Sequence, residues 1–423
     1  MNGMMLNGRS PVALLLTLLS IGLLVYACTS DAPSSRAPKG AAKGLVAAAD
    51  GLPSGELWRQ DFTFADMDGD GEIDLITAPP RKSKEPWPHI FLHRQNHWEP
   101  VVCQGVGNNG FPQQTYVYGG VAVADFTGDG TMEIAIAMHE AGIRIFSNTG
   151  TGPCGPWEEQ SNVSEKIRTL RSRSIVTADM NKDGRVDIVA LSEAPSMESN
   201  AEAQGLAILW NEASGWRFEG IEGSAGLFGD HVAIGEVNGD GIPDIAAGSL
   251  NDMRPQFLWL SDGNGKWQAV SAEGLPNNII AWSVQLVDFD GDGKDELLLG
   301  VGGAPVHQNG GPRVYRWDGV RWNNLSQGLP QVFWVCGVTA TDIDGDGRKE
   351  IVAAGMYTGT VKVYSQQPDG NWIERQELQV AKESEKLRNY KVRAFSTEKS
   401  AQNVIVANYA AEGDGKLTAW VGR

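Results

Sequence analysis

The chain has 423 residues, 41% of them hydrophobic, and a formal net charge of −17 at pH 7. Length alone would suggest two or three domains. The acidity argues against a nucleic-acid partner, which needs a basic footprint.

At the N-terminus, Arg9 precedes an apolar stretch over 11–27 and then Cys28. This arrangement resembles a bacterial lipoprotein signal, with Val25-Tyr26-Ala27-Cys28 as its processing box, residues 1–27 removed and Cys28 lipidated. Tyr26 is an unusual occupant of that box, which leaves ordinary secretion or an uncleaved anchor open. Thr29 rather than Asp after the cysteine favours the outer membrane of a Gram-negative cell, facing either the periplasm or the surface. Residues 28–42 lack apolar periodicity and read as a flexible tether with a reach of roughly 20 Å. On this reading the chain meets the membrane through its N-terminal lipid only.

A nine-residue pattern then recurs six times. Its first copy, Asp66-Met-Asp68-Gly-Asp70-Gly-Glu-Ile-Asp74, places acids at positions 1, 3, 5 and 9, and they converge on one hard cation only if the backbone turns sharply at Gly71. The second copy offers Asp125, Thr127, Asp129 and Glu133, the third Asp179, Asn181, Asp183 and Asp187, and the fourth Glu236, Asn238, Asp240 and Asp244. The fifth offers Asp288, Asp290, Asp292 and Glu296, the sixth Asp342, Asp344, Asp346 and Glu350. Oxygen-only donors point to Ca²⁺, up to six ions, in a structural role. The second, third and fourth sites, poorer in acids, should bind more weakly than the fifth and sixth. Twenty-one acids stand at these positions, so six Ca²⁺ would bring the formal charge to about −5.

First positions lie 59, 54, 57, 52 and 54 residues apart, enough for one four-stranded propeller blade each. A seventh unit over 392–407 aligns without gaps on 338–353, with its ligands decayed to Ser396, Glu398, Ser400 and Val404. After each loop comes a short apolar run suited to a strand buried on both faces, such as Ile134 to Ala137. Trp98, Trp157, Trp216, Trp267, Trp322 and Trp372 open the fourth strand of six units and are expected to pack between blades. The seventh unit ends before any fourth strand. The segment Lys43 to Pro53 matches Lys266 to Pro276 in its charges and its Gly-Leu-Pro end, so residues near 43–50 are expected to supply that strand and lock the ring. The expectation is an all-β, monomeric, seven-bladed propeller over 43–423, its six calcium loops joining first and second strands.

Loop and period together resemble the FG-GAP/VCBS repeat family, the calcium-loop propellers of integrin α-subunit heads, some fungal lectins and many secreted bacterial proteins. The resemblance covers roughly 43–423. It implies the propeller fold, with ligands meeting the face opposite the calcium loops, and does not select among adhesion, sugar binding and catalysis.

On that opposite face the sequence puts long loops at 81–89, 105–118, 193–204, 251–256 and 301–313. Candidate ligand-binding residues at their ends are Trp58, Tyr118, Arg171, Arg173, Arg254, Trp282, Trp334 and Tyr357, with Tyr116, Phe333 and Arg313 nearby. Aromatic planes beside hydrogen-bonding groups suit a glycan or an exposed protein segment, or else plug the channel. His89, His139, His231 and His307 also fall in or beside these loops. Convergence of these histidines, His139, His231 and His307 first, with Tyr118 or Tyr357 and an Arg would permit proton abstraction beside a uronic acid carboxylate, as in a polysaccharide lyase. Three classes stay open: a glycan- or protein-binding module, an extracellular polysaccharide lyase or hydrolase, and a structural subunit of an envelope complex. Beyond Cys28, Cys103, Cys154 and Cys336 make an odd set; no disulfide is expected to be essential, and Cys103 with Cys154 is the best-placed pair.

Overall fold

The computed structural model describes residues 44–423 apart from 56–57, 59–60, 96, 105–106, 115, 194–203, 251–256, 278, 303–309, 384–387, 398–401, 411–414 and 423. The expected signal, Cys28 and the tether lie outside the described residues, as do Arg254, His307, Glu398 and Ser400. Among those described, no helix is long and apolar enough to cross a membrane.

Seven four-stranded antiparallel sheets form the blades of a seven-bladed β-propeller. Blade one comprises Phe62–Ala65, Asp74–Thr77, His89–Arg94 and His97–Pro100, and the same meander repeats through blade six. Second strands such as Glu133–Met138, Asp187–Ser192, Glu296–Val301 and Glu350–Gly355 are buried at every residue, because neighbouring blades cover both of their faces. This explains their unbroken apolar runs. First strands line a central channel that widens into a cavity of about 340 Å³, bordered by Thr177, His231, Gln285, Thr339, Lys349 and Arg393.

Ring closure follows the expectation. Leu45–Ala47 pairs antiparallel with Lys416–Gly422, Leu45 opposite Gly422 and Ala47 opposite Trp420, so the N-terminal segment is the outer strand of blade seven. The Ala48 N–H adds a 2.8 Å bond to the Ala419 carbonyl.

Three of the repeated tryptophans hook their blade to the backbone of the one before. Indole N–H groups of Trp98, Trp322 and Trp372 each donate over 2.9 Å to the carbonyls of Ala48, Ser271 and Leu325, just past the outer strand of the preceding blade. Their backbone N–H groups donate to the carbonyls of Asp50, Glu273 and Gln327 over 2.8 Å. The recurrent Gly-Leu-Pro has its reason here: a Cβ on Gly274 would stand 2.1 Å from the Trp322 carbonyl oxygen, at a φ of +94°. Gly51 and Gly328 meet Trp98 and Trp372 in the same way, so the match between the N-terminal segment and 266–276 reflects one shared contact. Cys103 and Cys154 form a disulfide with Cα atoms 5.5 Å apart, while Cys336 is buried and takes no part in it.

Candidate functional site

Six acidic turns occupy one face, each joining the first and second strands of its blade. Position 1 organises the turn. In blade one the Asp66 carboxylate accepts from the N–H groups of Gly69 and Gly71; Asp288 does the same from Gly291 and Gly293, and Asp342 from Gly345 and Gly347. The position-6 glycines, Gly71, Gly130, Gly184, Gly241, Gly293 and Gly347, all have positive φ, which brings these N–H groups round. Position 5 accepts from the N–H two residues on, as in Asp70 to Glu72 and Asp183 to Arg185.

Carboxylate oxygens then cluster within 4.8 Å of one another in four turns: Asp66, Asp68 and Asp70; Asp125, Asp129 and Glu133; Asp288, Asp290 and Glu296; Asp342, Asp344 and Glu350. Hard-oxygen donors at this density fit a divalent cation such as Ca²⁺. In the third and fourth turns the amides of Asn181 and Asn238 stand at position 3 and bond Asp183 and Asp240.

Position 9 divides into two kinds. Where it is Asp, both oxygens serve the backbone: Asp74 accepts from the N–H groups of Met67 and His93, Asp187 from Met180 and Asn211, Asp244 from Val237 and Ser261. Where it is Glu, one oxygen takes the position-2 N–H and the longer side chain carries the other into the acidic cluster. Burial pushes the carboxyls of Asp74, Asp244 and Glu350 up to about 7 and that of Asp187 up to about 6, against the pull of the N–H donors. A bound cation would supply the opposing charge. In three turns an arginine from a neighbouring strand faces the acids: Arg94 pairs with Asp68 and Asp70, Arg316 with Asp290 and Glu296, and Arg375 with Asp344.

The opposite face is built differently, from residues scattered over five blades. Arg81, after the second strand of blade one, lies 5.2 Å over the Tyr118 ring, and Tyr118 stands 4.8 Å from His139 in blade two. His139 Nδ1 donates to the Glu193 carboxylate at 2.5 Å, and Glu193 also accepts from the Glu140 N–H at 2.7 Å. Arg173 of blade three reaches Glu193 at 3.1 Å and Asp230 of blade four at 2.8 Å. Across the channel mouth, Lys391 of blade seven donates to the Asp230 carbonyl and lies 3.3 Å from Asp61, which Arg393 grips with two bonds of 3.0 and 2.8 Å. One ionic belt thus joins blades one, two, three, four and seven.

Its charges are buried in matched pairs. Burial alone would raise the Asp61 carboxyl, but Arg393 and Lys391 overcome it and hold the group well below the usual carboxylate range. Burial pushes the Lys391 ammonium down to about 8, with Asp61 resisting the shift.

Of the expected ligand and catalytic residues, the fold brings together Tyr118, His139 and Arg173. Trp58 instead packs in the core at 2% exposure, edge-on to His89 and Phe91 of the third strand of blade one, whose aromatic rings claim its indole. His231 turns into the channel, where its Nδ1 meets Ser283 Oγ at 3.1 Å. Trp334 and Tyr357 meet edge to face at 5.4 Å on blade six, and Trp282 packs beside Gly302 on blade five, so these aromatics form a separate sector. Arg171 lies at the start of blade three, partly exposed. Tyr116 and Phe333 are buried, and Arg313 is consumed by the carbonyls of Gly310, Pro312 and Pro330. Sequence reasoning missed Asp61, Glu193, Asp230, Lys391 and Arg393 as site residues, since none belongs to a local motif. Arg81 carried one available signal, the basic run Arg81-Lys82-Ser83-Lys84 in an acidic chain.

A seven-bladed ring with an acid-rich turn in six blades defines a repeat β-propeller with candidate metal turns. The FG-GAP-like repeat family matches residues 66–136, 125–190 and 236–299, and the chain fits the FG-GAP β-propeller family. It is 23% identical over 311 residues to cartilage acidic protein 1 of Mus musculus, covering 69% of this chain and 47% of that protein. To integrin alpha-8 of Mus musculus it is 26% identical over 221 residues, covering 45% of this chain and 20% of that one. The chain therefore spans about half the length of the first of these relatives and a fifth of the second. Among solved structures, BBS1N, crystallised in complex with ARL6DN and soaked with mercury, superposes with a TM-score of 0.51 at 11% identity, covering 90% of this chain and 98% of that one, which is a likeness of fold.

Proposed function

We propose that this protein is an exported ligand-binding module: a propeller clamped by Ca²⁺ in its acidic turns that holds a glycan or protein ligand on the opposite face, tethered to the cell envelope through Cys28. The observation that carries the reading is the cluster of Arg81, Tyr118, His139 and Arg173, in which buried Glu193 fixes His139 and Arg173 and the Tyr118 ring lies under Arg81. Similarity to an integrin α chain and to a cartilage protein supports export and adhesion-type binding. Calcium in this reading is a clamp, with Asp66, Asp68, Asp70, Asp74 and their counterparts as its ligands, because each turn can surround an ion with protein oxygens.

A second reading, polysaccharide lyase, draws on one contact. Glu193 holds His139 at Nδ1, which leaves Nε2 for other chemistry on a ring 4.8 Å from Tyr118, an arrangement suited to proton abstraction. Titration of the calcium-loaded protein against a panel of polysaccharides, with ultraviolet absorbance followed for unsaturated products, separates the two. Binding without new absorbance supports the module, rising absorbance makes it an enzyme, and absence of binding to polysaccharides and to matrix proteins alike overturns both.

A further inference from the structure

We infer that the loop-face cluster is a receptor for an acidic sugar, a ring bearing a carboxylate or a sulfate; this rests on the ligand-binding reading above. The first argument is charge. Within a chain of formal charge −17, the loop after the second strand of blade one reads Arg81-Lys82-Ser83-Lys84-Glu85, three cations to one acid, with Lys82 and Lys84 exposed. Next to it the belt balances Arg173, Lys391 and Arg393 against Glu193, Asp230 and Asp61, so the surplus of positive charge is the loop's own.

The second argument is where that surplus sits. Glu193, 2% exposed, is consumed by His139, the Glu140 N–H and Arg173, and Asp61 by Arg393 and Lys391. Among the described residues Arg81 has a ring beneath it and no acid in ion-pair reach, so its guanidinium faces whatever enters from solvent. An arginine backed by an aromatic face and spared an internal partner is suited to a planar or tetrahedral anion, which it meets with paired N–H donors.

The third argument concerns shape. Trp87, half-buried, packs against the same apolar cluster as Val117, the residue before Tyr118. Its indole is stacked on His89 with an interplanar angle of 20°. Aromatic rings on the same blades as a cation backed by Tyr118 suit a sugar ring with one charged substituent, whose apolar face stacks while its acid group pairs with Arg81.

The test is isothermal titration of the full-length protein in calcium buffer with four probes: short oligogalacturonides (carboxylate only), dextran sulfate (sulfate only), dextran (neutral) and poly-glutamate (acidic, without sugar). One or both acidic glycans should bind and dextran should not, with Arg81→Gln lowering affinity about tenfold and Arg81→Lys restoring part of it, since the paired donors are lost but a charge returns. The first two probes decide between carboxylate and sulfate. Arg81 is partly exposed, so melting curves of both variants should match the parent. Dextran binding as tightly, or affinity unchanged in Arg81→Gln, overturns the acidic-sugar assignment and leaves the module standing. Poly-glutamate binding that depends on Arg81, without glycan binding, overturns it in favour of an acidic peptide. No binding to any probe, with melting intact, overturns the site together with the reading on which it rests.

Discussion

The two faces of the disc are stabilised by opposite strategies. On the turn face each blade gathers its own acids within nine residues, and the charge is left for an external cation to neutralise. On the loop face acids and bases arrive from five different blades and neutralise one another. The turn face is therefore modular, six nearly independent units, whereas the loop face exists only when the ring is closed. This difference also explains what could be read in advance. A local, repeated motif is legible because its partners are neighbours in sequence: the turns, the period, the strand order and the fourth-strand Trp hooks all follow from it. Asp61 and Lys391 are 330 residues apart, and nothing near either in sequence points to the other.

Removing the closing strand should separate the faces most strongly. Deleting residues 43–50 takes away Leu45–Ala47, the buried Leu45 and Ala48, and the carbonyl that receives the Trp98 indole. The expected loss is roughly 5 kcal/mol, from apolar burial and strand pairing together. Urea denaturation measures it, and an unchanged midpoint would remove ring closure from the account.

Asp61→Asn should come next, at about 4 kcal/mol, because it leaves Lys391 and Arg393 facing each other without their shared carboxylate. The loop face should suffer while the turns are untouched. Hydrogen exchange is the discriminating measurement: protection should fall at the starts of first strands in blades one and seven and hold in the Asp288 and Asp342 turns. Uniform loss of protection would mean that the faces are coupled after all.

The turns themselves should be graded. Sites five and six each offer four carboxylates, while the second has Thr127 and the third and fourth an Asn at position 3, so the acid-rich sites should bind Ca²⁺ about tenfold more tightly. The structure sharpens this ranking, because Glu296 and Glu350 reach into their clusters whereas Asp187 and Asp244 stay with the backbone. Single-site variants Asp288→Ala and Asp179→Ala followed by calcium titration would show it. Filling of the second or third site before the fifth would break the ranking.

The most gradual effect concerns pH and belongs to the loop face alone. The Lys391 ammonium is held at about 8 in the folded chain against an ordinary 10.5. Between those values the unfolded chain binds more protons than the folded one, so this residue makes stability rise with pH through that window, by about 1 kcal/mol for each unit. Below pH 8 both states are protonated and the contribution is flat. Other groups titrate in the same range, so the test is a difference: Lys391→Met should remove this slope between pH 8 and 10 while Asp61 keeps Arg393 as partner, and the calcium midpoints of the turns should not move. A slope that survives the substitution would mean the ammonium is not the group that senses pH, and a shift in the calcium midpoints would mean that the two faces share a charge balance which the geometry keeps apart.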